Sequence, residues 1–345
     1  MDDSADAEGM YLRSNLLGTS ASFRRTTQRL VRFSRCDAPV LIVGETGTGK
    51  ELAARAVHYL SAGRDRAFVP VNCASLPDGL VDSELFGHAK GAFTDARRAH
   101  AGLIRQADGG TLFLDEVEAL SQRAQATLLR FLQDSSYRAV GAEESQQANI
   151  RIIAASNLDL RSQVQAKAFR DDLLYRLDVL RVEMPPLRER REDIALLAVH
   201  LLDKAARRTS HRSKHLAPSA LDMLRRFDWP GNIRQLEHVL LRVHLLCEAP
   251  VITADDLLSS APELGVGPAA SGSAPASRSL REVKHLALDT VEREYVAAVL
   301  SRSMGNISEA ARLCGMQRAS FSKLAKKHRM ASLPAELGDG PYPAA

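Results

Sequence analysis

The chain has 345 residues, 45% hydrophobic and 26% charged, which suits two or three packed domains and is unlike a disordered protein. No run approaches the roughly 18 apolar residues of a membrane span, and the acidic opening Met1-Asp2-Asp3-Ser4-Ala5-Asp6-Ala7-Glu8 is not a secretion signal, so a cytoplasmic protein with no membrane association is expected. The net charge of +4 is too small to establish nucleic-acid binding, which leaves that question to the distribution of charge.

In chain order, the first strong signal is the apolar run Val40-Leu41-Ile42-Val43, followed directly by Gly44-Glu45-Thr46-Gly47-Thr48-Gly49-Lys50-Glu51 and a helical pattern over residues 50–60. Strand, glycine-rich loop and helix form a triphosphate site. The glycines let backbone N–H groups close around the phosphates, Lys50 brings a positive charge to the transferred phosphoryl group, and the helix N-terminus faces the anion. Glu51 stands where most such loops carry the Ser or Thr whose hydroxyl helps hold magnesium, so that ligand must come from elsewhere. The scattered cysteines Cys36, Cys73, Cys247 and Cys314 include no Cys-x-x-Cys pair and read as reduced thiols.

Gly109-Gly110-Thr111-Leu112-Phe113-Leu114-Asp115-Glu116 reads as a buried strand ending in two carboxylates. In a doubly wound sheet, ligands lie beyond the C-terminal ends of the strands, which would set Asp115 beside the triphosphate and its metal. Asp115 suits Mg2+, and Glu116 suits orienting or deprotonating an attacking water. Taken alone, the segment also reads as an ordinary strand end before a solvated turn. Paired with the phosphate loop, the two acids favour ATP hydrolysis over a nucleotide kinase.

Strand-like runs at 40–43, 68–72, 111–114 and 150–155 alternate with helical patterns at 50–60 and 122–132. This predicts an α/β fold, a mostly parallel sheet with helices on both faces. From Pro185 the pattern is helical only, at 193–206, 218–226 and 233–247, a small helical subdomain. Residues 259–279, rich in Gly, Ala, Ser and Pro, read as a flexible linker. Val283, Ala287, Val291, Tyr295 and Val299 recur every four residues as the stripe of an amphipathic helix.

Residues 308–328 have the spacing of a helix-turn-helix, with an apolar face of Ala310, Ala311 and Leu313, a turn at Cys314-Gly315-Met316 and a second helix from about Gln317. Arg312, Arg318, Lys323, Lys326, Lys327 and Arg329 stand against the single Glu309, an excess suited to phosphate contacts. Gln317, Arg318, Ser320 and Lys323 face outward near the start of the second helix as candidates for base or phosphate contact, with Lys326 and Lys327 beyond them. A solvated basic face is the other reading of the same pattern.

These motifs together resemble the bacterial enhancer-binding activators of sigma-54 RNA polymerase, in which an AAA+ ATPase domain precedes a Fis-type helix-turn-helix. The resemblance runs from about Leu17 to about Met330. Gly44 to Glu51 matches the family loop, in which the glutamate is normal. Ser83-Glu84-Leu85-Phe86-Gly87-His88, Gly91-Ala92-Phe93-Thr94 and Gly109 to Glu116 follow in the family's order. The implied architecture is an AAA+ P-loop parallel sheet with a helical lid, then a small all-α helix-turn-helix domain. Its parts are a short extension (1–16), the α/β ATPase subdomain (17–184), the lid (185–258), the linker (259–279), the DNA-binding domain (280–332) and a tail (333–345).

The resemblance also implies roles. Asn72 matches the asparagine that holds the catalytic glutamate in check and couples nucleotide state to the contact loop, although by pattern alone it reads as a strand-end cap. Ser156 and Asn157 look like the first sensor of the γ-phosphate, and Arg234 resembles the second sensor, in the lid. Arg170 and Arg176 match the arginines that reach a neighbouring subunit's ATP, where pattern alone gives helix salt bridges. Gly91-Ala92-Phe93-Thr94-Asp95-Ala96 resembles the loop Gly-Ala-Phe-Thr-Gly-Ala that contacts the sigma factor through its Phe and Thr. Phe93 without the family reads as a core residue. The chain departs from the pattern at Asp95, which adds charge and removes a glycine's freedom, at Ala89 in place of glutamate, and at His100 and Arg105 in place of arginine and glutamate.

The implied function is an activator that binds an upstream enhancer site on DNA, assembles into a homo-oligomeric ring, expected to be a hexamer, and uses ATP with Mg2+ to remodel the closed complex of the sigma-54 RNA polymerase holoenzyme. Few residues precede the match, so no N-terminal sensor domain is expected and control is assigned to a regulatory protein acting in trans, to expression level or to a paralogous subunit. The alternative is a DNA-binding regulator whose nucleotide site sets oligomeric state and which does not act on sigma-54. A remodeller without DNA binding is opposed by the basic C-terminal helices.

Overall fold

The computed structural model describes residues 16–77, 79–92, 96, 98–209, 212–265, 292, 296, 299, 300, 303 and 306–327. They fall into two units, divided after residue 268.

The first unit is organised by the alternation of apolar side chains along its strands. Leu41 of β1 (Val40–Val43) packs with Leu112, Leu114, Ile152 and Ala154, whereas its neighbours Val40 and Ile42 pack with Phe113, Ile153, Ala155 and Val182. Successive side chains leave opposite faces of a pleated strand, so one sheet separates two cores. With β2 (Phe68–Asn72), β3 (Thr111–Asp115), β4 (Arg151–Ser156) and β5 (Leu180–Glu183), β1 forms a five-stranded parallel sheet in the order β2-β3-β4-β1-β5. Helices α1 (Ala21–Ser34) and α2 (Lys50–Tyr59) cover one face through Phe23, Leu30, Ala53 and Val57. Helices α3 (Gln122–Asp134) and α4 (Asp171–Leu177) cover the other through Leu128, Leu129, Leu173 and Leu177. The expected parallel sheet with helices on both faces is present. Strand β5 has no counterpart in the sequence reading, because Leu-Arg-Val-Glu is too short and too polar for a periodic signal.

The lid is built from α5 (Ile194–Thr209), α6 (Pro218–Arg226), α7 (Asn232–Leu246) and α8 (Ala254–Ser260) around Trp229, which is fully buried and donates from Nε1 to Leu224 O at 2.8 Å. Two features differ from an all-helical reading with a linker from residue 259. His215–Leu216 pairs in parallel with Val251–Ile252, a two-residue ladder too short to show a period. Helix α8 and the turn Pro262–Gly265 carry Ala261 and Leu264 into the lid core, so residues 259–265 belong to the lid. Their small and proline-rich composition reflects a tight turn under the core. No helix among the described residues is long and apolar enough to cross a membrane.

In the second unit, α9 (Ile307–Leu313) starts at Asn306, whose Oδ1 accepts from Ser308 N–H at 3.0 Å, and Gly315 takes φ 66° in the turn before α10 (Arg318–Lys327). Ala310, Ala311, Phe321 and Ala325 pack with Val296 and Val299. Val283, Ala287, Val291 and Tyr295 of the expected amphipathic stripe, and Arg329, lie outside the described residues, as do 266–279 of the expected linker.

Candidate nucleotide site and DNA-contact helix

The sheet order sets the site. Strand β4 lies between β1 and β3, so the chain leaving β4 faces both the phosphate loop after β1 and the acids after β3. Gly47 and Gly49 take φ 80° and 97°, left-handed values open to glycine, and Gly49 caps α2. Lys50 is 7% exposed, and its Nζ donates to Gly44 O at 2.7 Å, Glu45 O at 3.1 Å and Asn157 Oδ1 at 2.6 Å. Burial pushes the Lys50 ammonium below its ordinary range, with Asp115, Glu118 and Glu116 pulling the other way. Thr48 turns its hydroxyl inward to Glu45 O at 2.8 Å, while Thr46 is exposed. Glu51 Oε1 accepts from Arg55 at 2.8 Å along α2.

Asp115 ends β3, and burial raises its carboxyl while the nearby Lys50 opposes that. Glu116 holds φ 55° and ψ 48°, a left-handed conformation that costs a non-glycine residue about 1–3 kcal/mol. Asn157 Nδ2 donates to Glu116 Oε1 at 3.3 Å, and its backbone N–H donates to Glu118 Oε1 at 2.9 Å. One amide therefore joins Lys50 to Glu116. Ser156, paired with it in the sequence reading, is fully buried and donates from Oγ to Leu158 O at 2.8 Å, inside its own turn.

Asn72 lies in register with Asp115, and its Oδ1 accepts from Ala74 N–H at 2.9 Å, capping the turn Cys73–Ser75. In this structure it makes the strand-end cap, and the amide on the glutamate is that of Asn157. The Asn72 side-chain carbonyl oxygen is taken by the turn it caps, whereas the end of β4 lies between the two functional loops.

The lid closes the opposite side of the loop. Arg234 is exposed, on α7, and its Cβ lies 3.1 Å from where a Cβ on Gly47 would stand. Five residues at the site carry no role in the sequence reading: Glu118, Arg188, Arg190, Asp193 and Asn232. Three of them fall in the strongly charged run Leu187-Arg188-Glu189-Arg190-Arg191-Glu192-Asp193. Yet Arg190 is 1% exposed, lies 4.7 Å over the Phe23 ring and donates to Thr48 O at 3.2 Å, with burial pushing its guanidinium down to about 10. Asp193 accepts from Thr19 N–H at 2.6 Å, Ser20 N–H at 2.8 Å and Ser20 Oγ at 2.7 Å, tying the segment before α1 to the start of the lid.

Arg170 caps α4 and pairs with Asp172 at 2.8 Å, and Arg176, on the same helix, is exposed and makes no ion pair among the described residues. Phe93, Thr94 and Asp95 lie outside the described residues. The flanks of that loop are held: Gly91 N–H donates to Ala96 O at 2.8 Å, and Ala89 N–H donates to Val140 O at 2.9 Å. In the second unit Gln317, Arg318, Ser320, Lys323, Lys326 and Lys327 are all exposed while Phe321 and Ala325 are buried. Lys327 pairs with Glu292 at 2.8 Å and Arg312 with Glu309 at 2.6 Å.

A phosphate loop on this parallel sheet, two acids at the end of the strand one beyond its neighbour and a helical lid define an AAA+ ATPase, here joined to a helix-turn-helix. The chain belongs to the family of sigma-54-dependent transcriptional activators: the Sigma-54 interaction domain matches residues 16–183, the AAA+ ATPase lid domain 188–268, and the Bacterial regulatory protein, Fis family, 287–326. It is 41% identical over 329 residues to the phenol regulator MopR of Acinetobacter guillouiae, covering 93% of this chain and 58% of MopR. It is 42% identical over 315 residues to the transcriptional regulatory protein ZraR of Salmonella typhimurium, covering 91% and 68%. The chain thus spans less than two thirds of MopR. Among solved structures, NtrX from Brucella abortus in complex with ATP aligns over 94% of this chain and 72% of NtrX, with 32% identity and a TM-score of 0.68.

Proposed function

We propose that this ATPase is a transcription activator of the cytoplasm that binds an upstream site on DNA through residues 280–332, assembles into a hexameric ring and uses ATP hydrolysis to convert the sigma-54 closed complex into an open one. The observation that carries the reading is the single amide of Asn157 between Lys50 and Glu116, because it links the phosphate-binding cation to the water-activating carboxylate.

In this reading the backbone of Gly44 to Gly49 and Lys50 bind the triphosphate, and Glu116 orients the attacking water and takes its proton. Asn157 fixes the Glu116 carboxylate and couples it to the cation at the phosphates. Arg234 from the lid, and Arg170 and Arg176 from a neighbouring subunit, oppose the charge that develops on the transferred group. The exposed position of Arg176 on α4, with no ion pair among the described residues, supports action across a subunit boundary. Asp115 fits Mg2+, being a half-buried carboxylate at the strand end and a hard oxygen donor, while Thr48 and Glu51 are engaged elsewhere. Bound there with ATP, the ion would supply charge neutralisation at the phosphates. Phe93 and Thr94 carry the contact with sigma-54.

The test is transcription with purified sigma-54 RNA polymerase and a promoter bearing the chain's own upstream site, comparing ATP with a non-hydrolysable analogue. Open complexes with ATP alone support the proposal. Hydrolysis and DNA binding without promoter opening favour the second reading, a regulator that does not act on sigma-54, for which Asp95 in the contact loop is the motivating feature.

A further inference from the structure

Three consecutive residues of the phosphate loop are held by the lid. The Glu45 carboxylate accepts from Arg188 twice, Nη1 to Oε2 at 2.8 Å and Nη2 to Oε1 at 2.6 Å, and from Asn232 Nδ2 at 3.1 Å. Thr46 O accepts from the same Asn232 Nδ2 at 3.0 Å, and Gly47 O accepts from Ile233 N–H at 3.0 Å. Asn232 Oδ1 accepts in turn from Leu187 N–H at 2.7 Å, so one fully buried amide is bonded to the loop and to the start of the lid together. Its backbone is left-handed, with φ 50°, which an asparagine tolerates better than most residues.

An acid inside a loop that binds a polyanion is electrostatically out of place, since an unpaired carboxylate there repels phosphate. The bidentate fork of Arg188 neutralises Glu45 and turns it toward the lid, holding its carboxyl below the usual carboxylate range. Two residues beyond Asn232, on the same helix, stands Arg234, with its Cβ against the loop at Gly47.

We propose that Glu45, Arg188 and Asn232 form a latch that fixes the lid on the phosphate loop and thereby sets where Arg234 stands. They are positioning residues for nucleotide binding and touch no reacting atom. The two halves of the latch differ in access. Asn232 is 0% exposed and acts as the pivot, whereas the Arg188 and Glu45 side chains are 39% and 40% exposed and act as a clasp that can open. The inference rests on the chain being a nucleotide-binding ATPase, and its test separates the two.

The experiment measures the Kd of a fluorescent non-hydrolysable ATP analogue, together with kcat and KM for ATP, on the full chain. Arg188→Ala is expected to raise Kd and KM about five- to tenfold and to lower kcat as well, since it frees the lid that places Arg234 and exposes a carboxylate to the phosphates. In a Glu45→Gln background the same substitution is expected to change Kd less than about twofold, because both changes cut one interaction. Asn232→Ala is expected to weaken binding further and to lower the melting temperature, whereas Arg188→Ala, at a partly exposed site, leaves the fold intact. An unchanged Kd for Arg188→Ala, or an equal effect in both backgrounds, overturns the latch. A wild-type chain that binds the analogue without turning over ATP counts against the hydrolase reading, with the Kd comparison still deciding the latch.

Discussion

Lys50 and Glu116 are joined by one side chain: Asn157 accepts from Lys50 Nζ at 2.6 Å and donates to Glu116 Oε1 at 3.3 Å. In the proposed mechanism this links the cation at the phosphates to the carboxylate at the water, so a change at one end is felt at the other.

That link separates binding from chemistry. Glu116→Gln keeps the shape and the bond from Asn157 but removes the base. It is expected to lower kcat at least about a hundredfold while ATP affinity stays within about threefold. Asn157→Ala removes the amide that holds both ends and is expected to lower kcat about ten- to a hundredfold. Steady-state hydrolysis with parallel nucleotide titration checks both, and an Asn157→Ala variant with wild-type kcat would sink the coupling.

Two glycines of the loop answer differently to the same substitution. Both hold left-handed backbones, but a Cβ on Gly47 would lie 2.4 Å from Gly231 O, whereas one on Gly49 meets nothing within 4 Å. Gly49→Ala is therefore expected to cost only the conformational penalty, about 1–2 kcal/mol. Gly47→Ala adds a backbone collision with the lid and is expected to be destabilised further and to lose nucleotide binding. Chemical denaturation and analogue titration of the pair check the order, and equal stabilities would contradict it.

The parts that were legible in the sequence are those whose signal is contiguous. Strand β1, the loop and α2 follow one another without a break, so glycines, lysine and apolar run could be read together. The helix-turn-helix was legible for the same reason, with Ala310 and Ala311 inward and the basic residues outward, although Leu313 of the expected apolar face is exposed. What stayed hidden depends on strand order. Nothing local says that β4 lies between β1 and β3, and so the bond from Asn157 to Glu116 has no signal in the sequence. The run from Arg188 to Asp193 carries no local signal of a site, because the partners that bury Arg190 and Asp193, in the loop at Thr48 and the segment before α1, come from far away in sequence.

His58 gives the ATPase unit an acid-sensitive point. Its ring is fully buried, with Nδ1 2.9 Å from Thr111 Oγ1, and burial, helped by the Arg151 and Arg55 charges, holds it below its ordinary value. The folded state thus prefers neutral imidazole, while the unfolded chain takes up a proton near about pH 6.5. Stability is complete above that value and is lost as pH falls through the lower folded value. The melting temperature is expected to fall between about pH 7.5 and pH 5.5, and the fall is expected to be smaller in His58→Gln. Equal falls in wild type and variant would remove His58 from the account.

The basic face of α10 is not uniform. Lys327 is already paired with Glu292 at 2.8 Å, and Arg312 with Glu309 at 2.6 Å, so binding DNA through either must compete with a carboxylate. Arg318 stands at the first turn of α10, exposed, where the helix N-terminus adds its own attraction for phosphate. Arg318→Ala is therefore expected to weaken binding to a duplex more than Lys327→Ala does, and to reduce the slope of log affinity against log salt by about one contact. Fluorescence anisotropy across a salt series reads both quantities. Phe321→Ala, by contrast, empties the centre of the small core made with Val296, Val299 and Ala310, and costs about 3–5 kcal/mol. It is expected to abolish binding through unfolding, visible as lost helicity. If Lys327→Ala proves the more damaging of the two surface changes, the Glu292 pair is open in the DNA complex and Lys327 makes the stronger phosphate contact.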